Sequence, residues 1–303
     1  MMDVAVIIIN YNTAKHTLRC IASVFEKTQK NILFQVIVAD NNSSPSDYEH
    51  LRANFPKHKN CSLHRSNINT GFGGGNMFAA QFACARYLLF LNNDALLLNN
   101  AISIMINHMQ GSPGVGVATA QQYDGNNRSV KSFDHNKGPL RLLFGRRFLE
   151  RTNPARYPKR NKQYTHPTTV DWVNGAFLFF SARAFAAIGG FDSNIFLYWE
   201  EMDVCHRLRQ MGYAAQLVPA AKIMHHQGAS TPKTRAVARE SYISYLYVTH
   251  KNFGVYTYCA IKAHLTIALL LKPKKWYLLP TVLRPNPQTA SLKHKQKMVF
   301  YES

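Results

Sequence analysis

The chain has 303 residues, 46% of them hydrophobic, and a formal net charge of +20 from 36 Lys and Arg against 16 Asp and Glu. This length and apolar content exclude a disordered chain, and they allow one large α/β domain with an extension or two modest domains. The positive charge indicates an anionic partner, such as nucleic acid, anionic lipid or a phosphorylated substrate.

The first ninety residues alternate apolar strands with helical segments. The strand "VAVIII" precedes a helix over "NTAKHTLRCIASVFEKT" capped by Asn12 or Thr13, and "FQVIVAD" precedes a helix over "SDYEHLRANF". The strand "CSLHR" precedes a helix that is expected to begin near Asn76, and "YLLFL" is the next strand. This order predicts an α/β fold with a Rossmann-like, mostly parallel central sheet flanked by helices, which binds ligands at the carboxyl ends of its strands.

Polar clusters follow three of these strands. They are Asn10–Asn12 after the first strand, Asp40–Asn42 after the second, and Asn92, Asn93 and Asp94 after "YLLFL". Each cluster alone could be an ordinary turn or helix cap. Three clusters on one rim of a sheet instead indicate a ligand site.

The stretch "NTGFGGGNM" places four glycines before an apolar run. It is not a Rossmann fingerprint because Asn76 stands at the third glycine position, and it is not a P-loop because no Lys-Ser/Thr follows. Such glycines allow close backbone approach to a ligand, and the next helix would direct its N-terminal amides at an anion. A flexible surface turn is the alternative.

Four motifs in this order, "VIIINYN", "VIVADNNSS", "NTGFGGGN" and "LLFLNND", resemble the family 2 glycosyltransferases with a GT-A fold, and in particular their rhamnosyltransferase-like branch in bacterial polysaccharide synthesis. The resemblance continues through Val170–Tyr213 and the histidine motif "VPAAKIMHHQGAS". It covers about Val4 to Ser230.

The resemblance implies a nucleotide-sugar donor with a diphosphate leaving group. It places the donor against twelve residues: Asn10, Tyr11, Asn12, Asp40, Asn42, Thr70, Gly71, Gly73, Gly74, Asn76, Asn92 and Asn93. In "NND" only one carboxylate remains of the usual DxD, so Mg²⁺ or Mn²⁺ would be held by Asp94 and His225, with His226 as the alternative.

The resemblance also implies a catalytic base in "FLYWEEMDVCHRL". Glu201 matches the family's aspartate, the general base of an inverting displacement, and Glu200 and Asp203 are the alternatives, which would share a helix face with each other. The acceptor or sugar is expected near four further residues: Asp171, Trp172, Gly175 and Trp199. An ordinary core position is the alternative for Trp172.

The function expected from this resemblance is transfer of L-rhamnose from dTDP-rhamnose onto a hydroxyl of a glycan or lipid-linked acceptor in O-antigen, capsule or lipooligosaccharide synthesis. A UDP-hexose or UDP-galactofuranose donor is the alternative. A sugar nucleotidyltransferase would more often have Arg or Lys in an N-terminal glycine loop, where this chain has "NYNTAK". A nucleic-acid-binding protein would explain the charge, but no recognition motif is present.

The expected domains are a catalytic domain over residues 1–230 and a helical, basic extension over residues 231–303. No uninterrupted apolar span of about 20 residues is expected in the extension because Lys262 and His264 break it. An interfacial helix with a basic edge at Lys272–Tyr277 would bind an anionic membrane surface, or a helical hairpin would pack on the catalytic domain or across a homodimer. Five scattered cysteines favour a cytoplasmic setting, peripheral to the inner face of the membrane.

Overall fold

The computed structural model of the chain describes residues 1–226 and 234–300. Its first part alternates strands and helices in the order β1 Met2–Asn10, α1 Ala14–Lys27, β2 Phe34–Asp40, α2 Pro45–Ala53, β3 Cys61–Arg65, α3 Gly71–Ala80 and β4 Ala85–Leu91. These strands lie side by side as β3-β2-β1-β4, and all their pairings are parallel. The predicted parallel sheet is therefore present in this half, and the polar residues after its strands share one edge.

The second part completes the sheet with strands of both directions. Its elements are β5 Ala95–Leu97, α4 Ala101–Gly111, β6 Val115–Tyr123, β7 Ser129–Val130, β8 Phe133–Asp134, α5 Pro139–Thr152, β9 Thr168–Val170, β10 Trp172–Val173, β11 Phe177–Ser181, α6 Ala182–Ala187, α7 Glu200–Gln210 and β12 Ala214–His225. β11 lies antiparallel between β4 and β6, and β12 runs parallel to β6 but antiparallel to β5. The sheet is thus mixed, with most of its long strands parallel.

The core has two layers because side chains alternate across each strand. From β1, Val4, Val6 and Ile8 pack into the layer under α1 and α4, whereas Ala5 and Ile7 pack into the layer under α3, α6 and α7. All five are fully buried. Burial of each large aliphatic side chain contributes about 1.5–3 kcal/mol, so this two-sided strand is a major source of stability.

The predicted start of the third helix is wrong by five residues. α3 begins at Gly71 rather than near Asn76, so the glycines form its first turns. Gly71 has φ of +76°, and a Cβ there would overlap the backbone carbonyl of Phe196. Glycine is required because this turn lies directly against another backbone segment. The Phe72 N–H donates a hydrogen bond to the Phe196 carbonyl of that segment at 2.9 Å.

The C-terminal region consists of α8 Arg235–Leu270, α9 Leu279–Leu283 and short 3₁₀ turns, among them Leu292–Lys295. Within the two described ranges, α8 is the one helix long and apolar enough to cross a membrane, although an uninterrupted span was not expected. Its backbone leaves the helical conformation at Gly254, where φ is 77° and ψ is 174°. The segment beyond Gly254 has about 16 residues and is about 24 Å long, which is shorter than a hydrocarbon core of about 30 Å.

α8 packs in two places. Its first half contributes Val248 to a small apolar cluster with Ile195 and Met202 of the catalytic-motif region. A second cluster joins Leu246 of the first half, and Ile261 and Leu269 of the second half, to Val282 of α9. The expected domain boundary at residue 230 lies outside the described residues, so the two-domain division stays a prediction.

Candidate active site

A cavity of about 580 Å³ opens at the carboxyl ends of the parallel strands. Its walls come from the loops after β1, β2 and β4, the first turn of α3, the start of α7, the end of β12 and the C-terminal region. Ten of the residues expected in the site line it: Tyr11, Gly71, Asn76, Asn92, Asn93, Asp94, Gly175, Glu200, Glu201 and His225. Loops distant in sequence therefore meet at one place, as expected from the parallel topology.

Asn10 and Asp40 lie behind the cavity rather than in its lining. The Asn10 amide nitrogen lies 2.9 Å from Asp40 Oδ2, 3.1 Å from Ser43 Oγ and 2.9 Å from Asp47 Oδ2, so its two hydrogens are shared among three acceptors. Both Asn10 and Asp40 are fully buried. In this structure their polar atoms hold the first two rim loops together, and their expected contact with the nucleoside stays a prediction.

The same loops are joined at their backbones. Asp47 Oδ1 accepts a hydrogen bond from the Ala14 N–H at 3.0 Å, and so Asp47 caps α1 in place of the expected Asn12 or Thr13. Asn12 Oδ1 accepts from the Ser44 N–H at 2.8 Å. Asn12 and Asn42 both have positive φ and lie outside the lining, so they shape the loops as turn residues.

Asn41, from the second polar cluster, and Asn69, from the glycine-rich stretch, line the cavity, although neither was expected among the donor-contacting residues. The Asn41 amide nitrogen donates to Asn69 Oδ1 at 3.0 Å and to the Gly71 carbonyl at 2.9 Å. Its amide oxygen accepts from the Thr70 N–H at 3.1 Å. A single buried side chain thus fixes the start of α3 to the end of β2, and its position beside Asp40 in "ADNN" was the available signal.

The glycine segment serves packing more than ligand contact. A Cβ at Gly73 would lie 3.3 Å from the Phe191 Cβ, and one at Gly74 would lie 2.7 Å from the Thr70 Cβ. Gly73, Gly74 and Thr70 are outside the lining, contrary to their expected contact with the nucleotide. Only the first turn, through Gly71 and Phe72, and the following Asn76 face the cavity.

Asp94 and His225 meet at the edge of the cavity. His225 Nε2 lies 3.3 Å from Asp94 Oδ1, and His225 Nδ1 lies 3.2 Å from Gln122 Oε1. Gln122 donates from its amide nitrogen to Asn174 Oδ1, which fixes its oxygen toward the histidine. A proton on His225 Nδ1, donated to this oxygen, would leave the Nε2 lone pair beside Asp94 for a divalent cation.

The donor set at this edge is small. Within residues 1–226 and 234–300, no group of three or more His, Cys, Asp or Glu side chains is arranged to hold a metal ion. Asp94 and His225 fit a metal that takes its remaining ligands from a bound diphosphate and water, as Mg²⁺ commonly does.

Glu200 and Glu201 begin α7 and also line the cavity. The pKa of Glu200 is raised by desolvation and by the neighbouring charge of Glu201, and its Oε1 has no hydrogen-bond partner within the described part of the chain. Desolvation also raises the pKa of Glu201, although a hydrogen bond with the Gly175 backbone opposes this shift. A raised pKa makes a carboxylate a better proton acceptor than a solvated one.

The absence of a side chain at Gly175 leaves room for the Glu201 carboxylate. A Cβ at Gly175 would overlap Glu201 Oε1, so any other residue would displace the carboxylate. On the other side, Tyr198 and Trp199 precede α7 with φ values of 71° and 74°. Two consecutive left-handed residues without glycine are strained, and such strain is concentrated at functional sites.

The expected catalytic alternative Asp203 lies outside the cavity. Its carboxylate is fully buried and pairs with Arg207 Nη2 at 2.7 Å and Lys251 Nζ at 2.8 Å. Glu200 and Glu201, rather than Glu200 and Asp203, share the cavity wall. A carboxylate with two cationic partners is a structural ion pair, which corrects the catalytic expectation for Asp203.

Asp171, Trp172 and Trp199 are also outside the lining. Asp171 pairs with Arg156 at 2.6 Å and Arg209 at 3.3 Å. The Trp172 indole N–H donates to the His135 carbonyl, and the Trp199 indole N–H donates to the Ser241 carbonyl on α8. These contacts correct their expected role as a sugar platform, because they place the three side chains in the support of α7.

The mixed sheet and its cavity define the GT-A class of α/β fold. The structure aligns with GalNAc-T7, solved with UDP, GalNAc and Mn²⁺, with a TM-score of 0.62 at 14% identity, over 82% of this chain and 48% of that chain. This likeness confirms the predicted fold.

The family follows from the sequence match. The model of Glycosyl transferase family 2 matches residues 5–183, and the chain belongs to this family. The rhamnosyltransferase WbbL of Escherichia coli K12 is 27% identical over 163 residues, which are 52% of this chain and 61% of that protein. The N-acetylglucosaminyl-diphospho-decaprenol L-rhamnosyltransferase of Mycobacterium tuberculosis is 32% identical over 87 residues, or 28% of each protein. The chain thus spans less than two thirds of the length of either relative.

Proposed function

We propose that this chain is an inverting glycosyltransferase that moves a sugar from a nucleotide-sugar to a hydroxyl group of a glycan or lipid-linked acceptor. The observation that carries the proposal is that Asp94, His225 and Glu201 line one cavity together with the side-chain amides of Asn41, Asn69 and Asn93. Such a cavity can stabilise the negative charge that develops on the leaving diphosphate, and it can accept the proton of the acceptor hydroxyl.

Asp94 and His225 are the residues that would hold Mg²⁺ or Mn²⁺. The metal supplies positive charge that offsets the charge developing on the diphosphate leaving group. The Mn²⁺ and UDP bound to GalNAc-T7 favour this assignment. Gln122 contributes by orienting the His225 ring through the contact at 3.2 Å.

Glu201 is the proposed base. Its carboxylate takes the proton of the acceptor hydroxyl while the acceptor oxygen bonds to the anomeric carbon and the bond from that carbon to the diphosphate oxygen breaks. Gly175 holds the carboxylate in place, and Glu200 is the alternative base because it also lines the cavity. Asp203 is disfavoured because two cations already pair with it.

The proposed donor is dTDP-L-rhamnose, with a UDP-hexose or UDP-galactofuranose as the second candidate. Two rhamnosyltransferases among the relatives support rhamnose, and one of them names a lipid diphosphate acceptor. The experiment is transfer of radiolabelled sugar onto membrane lipids from dTDP-rhamnose and from UDP-galactose in parallel. Transfer from dTDP-rhamnose alone supports the donor, and failure with every nucleotide-sugar contradicts the proposed function.

An anionic membrane is the proposed surface on which the acceptor is met, in a cytoplasmic protein peripheral to that membrane. The exposed apolar side chains of α5 include Leu143, Phe144 and Phe148, and those around the end of α8 include Tyr256 and Leu271. Both groups adjoin the same apolar cluster, to which α5 contributes Leu142. Exposed apolar groups beside cations are typical of helices that lie in a membrane interface.

Cations border this surface. Lys272, Lys274 and Lys275 are all exposed beside the half-exposed Trp276. Each cation near anionic lipid contributes about 1 kcal/mol to binding. Flotation with phosphatidylglycerol vesicles tests the surface: Leu143→Glu and Leu271→Glu should each weaken binding, whereas Leu33→Glu, an exposed control before β2, should not. Equal flotation of all these proteins would contradict the membrane surface.

A further inference from the structure

The end of the chain returns to the cavity. Residues 291–299, here called the strap, include the 3₁₀ turn Leu292–Lys295, and both Leu292 and Gln296 line the cavity that holds Asp94 and Glu201. These residues lie more than 240 positions from the first two rim loops in sequence, and no motif marks them.

One end of the strap is anchored to α8. Glu240, which is 1% exposed, accepts a hydrogen bond from Ser291 Oγ at 2.7 Å and another from the Leu292 N–H at 2.7 Å. Lys293 Nζ also donates to the Ser193 carbonyl at 2.8 Å. A buried carboxylate with two donors is a strong local constraint, so the turn that carries Leu292 is held in a defined place.

The other end is anchored to the loop that precedes α3. The Val299 N–H donates to the Asn67 carbonyl at 2.8 Å, in the loop that leads to Asn69 and Gly71. The strap therefore runs from the start of α8 to the loop between β3 and α3. Gln296 lies between these two anchors, and its amide nitrogen donates to the Leu292 carbonyl at 2.9 Å. The amide keeps a second N–H and its oxygen for a ligand.

The charge of the strap complements the cavity. In the part of the lining that the structure describes, the carboxylates are Asp94, Glu200 and Glu201, and there is no Lys or Arg. The strap carries three lysines and a histidine: Lys293, His294, Lys295 and Lys297. Cations on a segment that lines an acidic cavity raise the local potential, which favours entry of a diphosphate.

We propose that the strap is part of the donor site, with Gln296 contacting the nucleoside diphosphate moiety and Glu240 positioning the strap. This inference rests on the proposed function, because it takes the ligand of the cavity to be a nucleotide-sugar. It assigns a ligand-binding role to Gln296 and a positioning role to Glu240, which touches the strap but not the cavity.

Binding measurements on the full chain test the role of Gln296. Isothermal titration with dTDP and with UDP, each with Mn²⁺, should give a dissociation constant at least about tenfold higher for Gln296→Ala than for the unmodified chain, as loss of one hydrogen bond to a charged ligand predicts. Met298→Ala is the matched control, because Met298 is an exposed strap residue outside the lining.

Glu240→Gln tests the positioning role. This change replaces one acceptor oxygen by a donor, so it should raise KM for the donor several-fold and leave kcat unchanged, a split that a general loss of folding would not produce. Limited trypsin digestion gives a second measurement: a nucleoside diphosphate bound beneath the strap should slow cleavage after Lys295 and Lys297.

The outcomes separate the inference from the proposed function. Equal affinity of the unmodified chain and Gln296→Ala would overturn the inference alone. Tighter binding by Gln296→Ala, or faster cleavage of the strap with nucleotide, would also overturn it, because the strap would then be a plug that the ligand displaces. Failure of the unmodified chain to bind any nucleoside diphosphate would contradict the proposed function and the inference with it.

Discussion

The rim loops and the start of α7, which form two walls of the cavity, differ in how well their polar groups are hydrogen-bonded. On the side of the rim loops, Asn10 and Asn41 each make three or more hydrogen bonds to partners about 30 positions away, and these bonds fix the loops. On the acid side, Glu200 is buried with its Oε1 unpartnered in the described part of the chain, and Tyr198 and Trp199 are strained. One wall stabilises the fold, whereas the other lowers the stability of the fold at a site where chemistry needs a basic carboxylate.

Because of this difference, substitutions in the two walls should have different effects on turnover and on stability. Changes on the acid side should reduce turnover and leave the folded state intact or more stable, since its buried carboxylates are costly. Changes in the amide network should lower the free energy of unfolding, since they leave buried polar groups without partners. The predictions below test this contrast.

The largest effect is expected for Glu201→Gln. The amide keeps the shape of the side chain but cannot accept the hydroxyl proton, so the rate of transfer should fall about 10³-fold. Initial rates of sugar transfer measure this, with binding of nucleoside diphosphate as the control for an intact cavity. A folded Glu201→Gln protein with unchanged turnover would remove Glu201 as the base and leave Glu200.

Gly175→Ala should have the next largest effect. The new Cβ overlaps Glu201 Oε1, and because that atom ends a flexible side chain, the carboxylate moves while the fold remains. A displacement of about 1 Å can lower the rate about 10²-fold. Gly111→Ala on α4 is the control, because a Cβ there meets nothing within 4 Å. The account would fail here if both variants turned over at the same rate.

Asn10→Ala should mainly affect stability. It leaves Asp40 and Asp47 without the Asn10 amide, and the free energy of unfolding should fall by about 2 kcal/mol or more. Urea unfolding measures the change, and Asn54→Ala at the exposed end of α2 should change it by less than about 0.5 kcal/mol. Equal loss in the two variants would mean that the amide network does not hold this wall.

The smallest effect is expected for Glu200→Gln, and it is a gain in stability that depends on pH. Because burial raises the pKa of Glu200 in the folded state, ionisation destabilises the fold as pH rises from about 4.5 through the folded pKa. Removal of the charge should therefore raise Tm at pH 8 by about 2–4 °C, the shift that corresponds to about 1 kcal/mol in a domain of this size.

The gain from Glu200→Gln should shrink as pH falls toward about 4.5, where the unmodified carboxyl is neutral as well. Differential scanning calorimetry at pH 5 and pH 8 measures both values. Glu49→Gln is the control, because Glu49 is exposed on α2 in a surface pair with Arg52. A lower Tm for Glu200→Gln at pH 8 would contradict the view that the acid wall is destabilising.

Local pattern was sufficient to predict the strands and the rim. β1, β2 and β4 are continuous apolar runs ending in polar residues, so their positions and the shared edge follow from burial alone. The start of α3 could not be predicted in this way. Glycine is needed there because the Phe196 backbone, more than a hundred positions away, lies directly against the first turn.

Within the site, the errors have a common physical cause. Asp171 and Asp203 are carboxylates of the kind that can act in catalysis. In the folded chain, however, they form ion pairs with cations such as Arg156 and Lys251, and those pairs form only when the chain is folded. Asn41 was left out of the expected donor contacts for the complementary reason, because its role depends on three tertiary hydrogen bonds. A sequence shows which side chains are able to do chemistry, whereas the fold decides which of them are already engaged.

The claim that Asp94 holds a metal ion beside a bound nucleotide is tested by isothermal titration. In this experiment, dTDP and UDP are titrated, with and without Mn²⁺, into the unmodified chain, Asp94→Asn and Glu201→Gln. We predict that Mn²⁺ strengthens nucleotide binding at least about tenfold for the unmodified chain and Glu201→Gln, and that Asp94→Asn loses this gain. Identical affinity with and without Mn²⁺ in the unmodified chain, or a full Mn²⁺ effect in Asp94→Asn, would contradict the account.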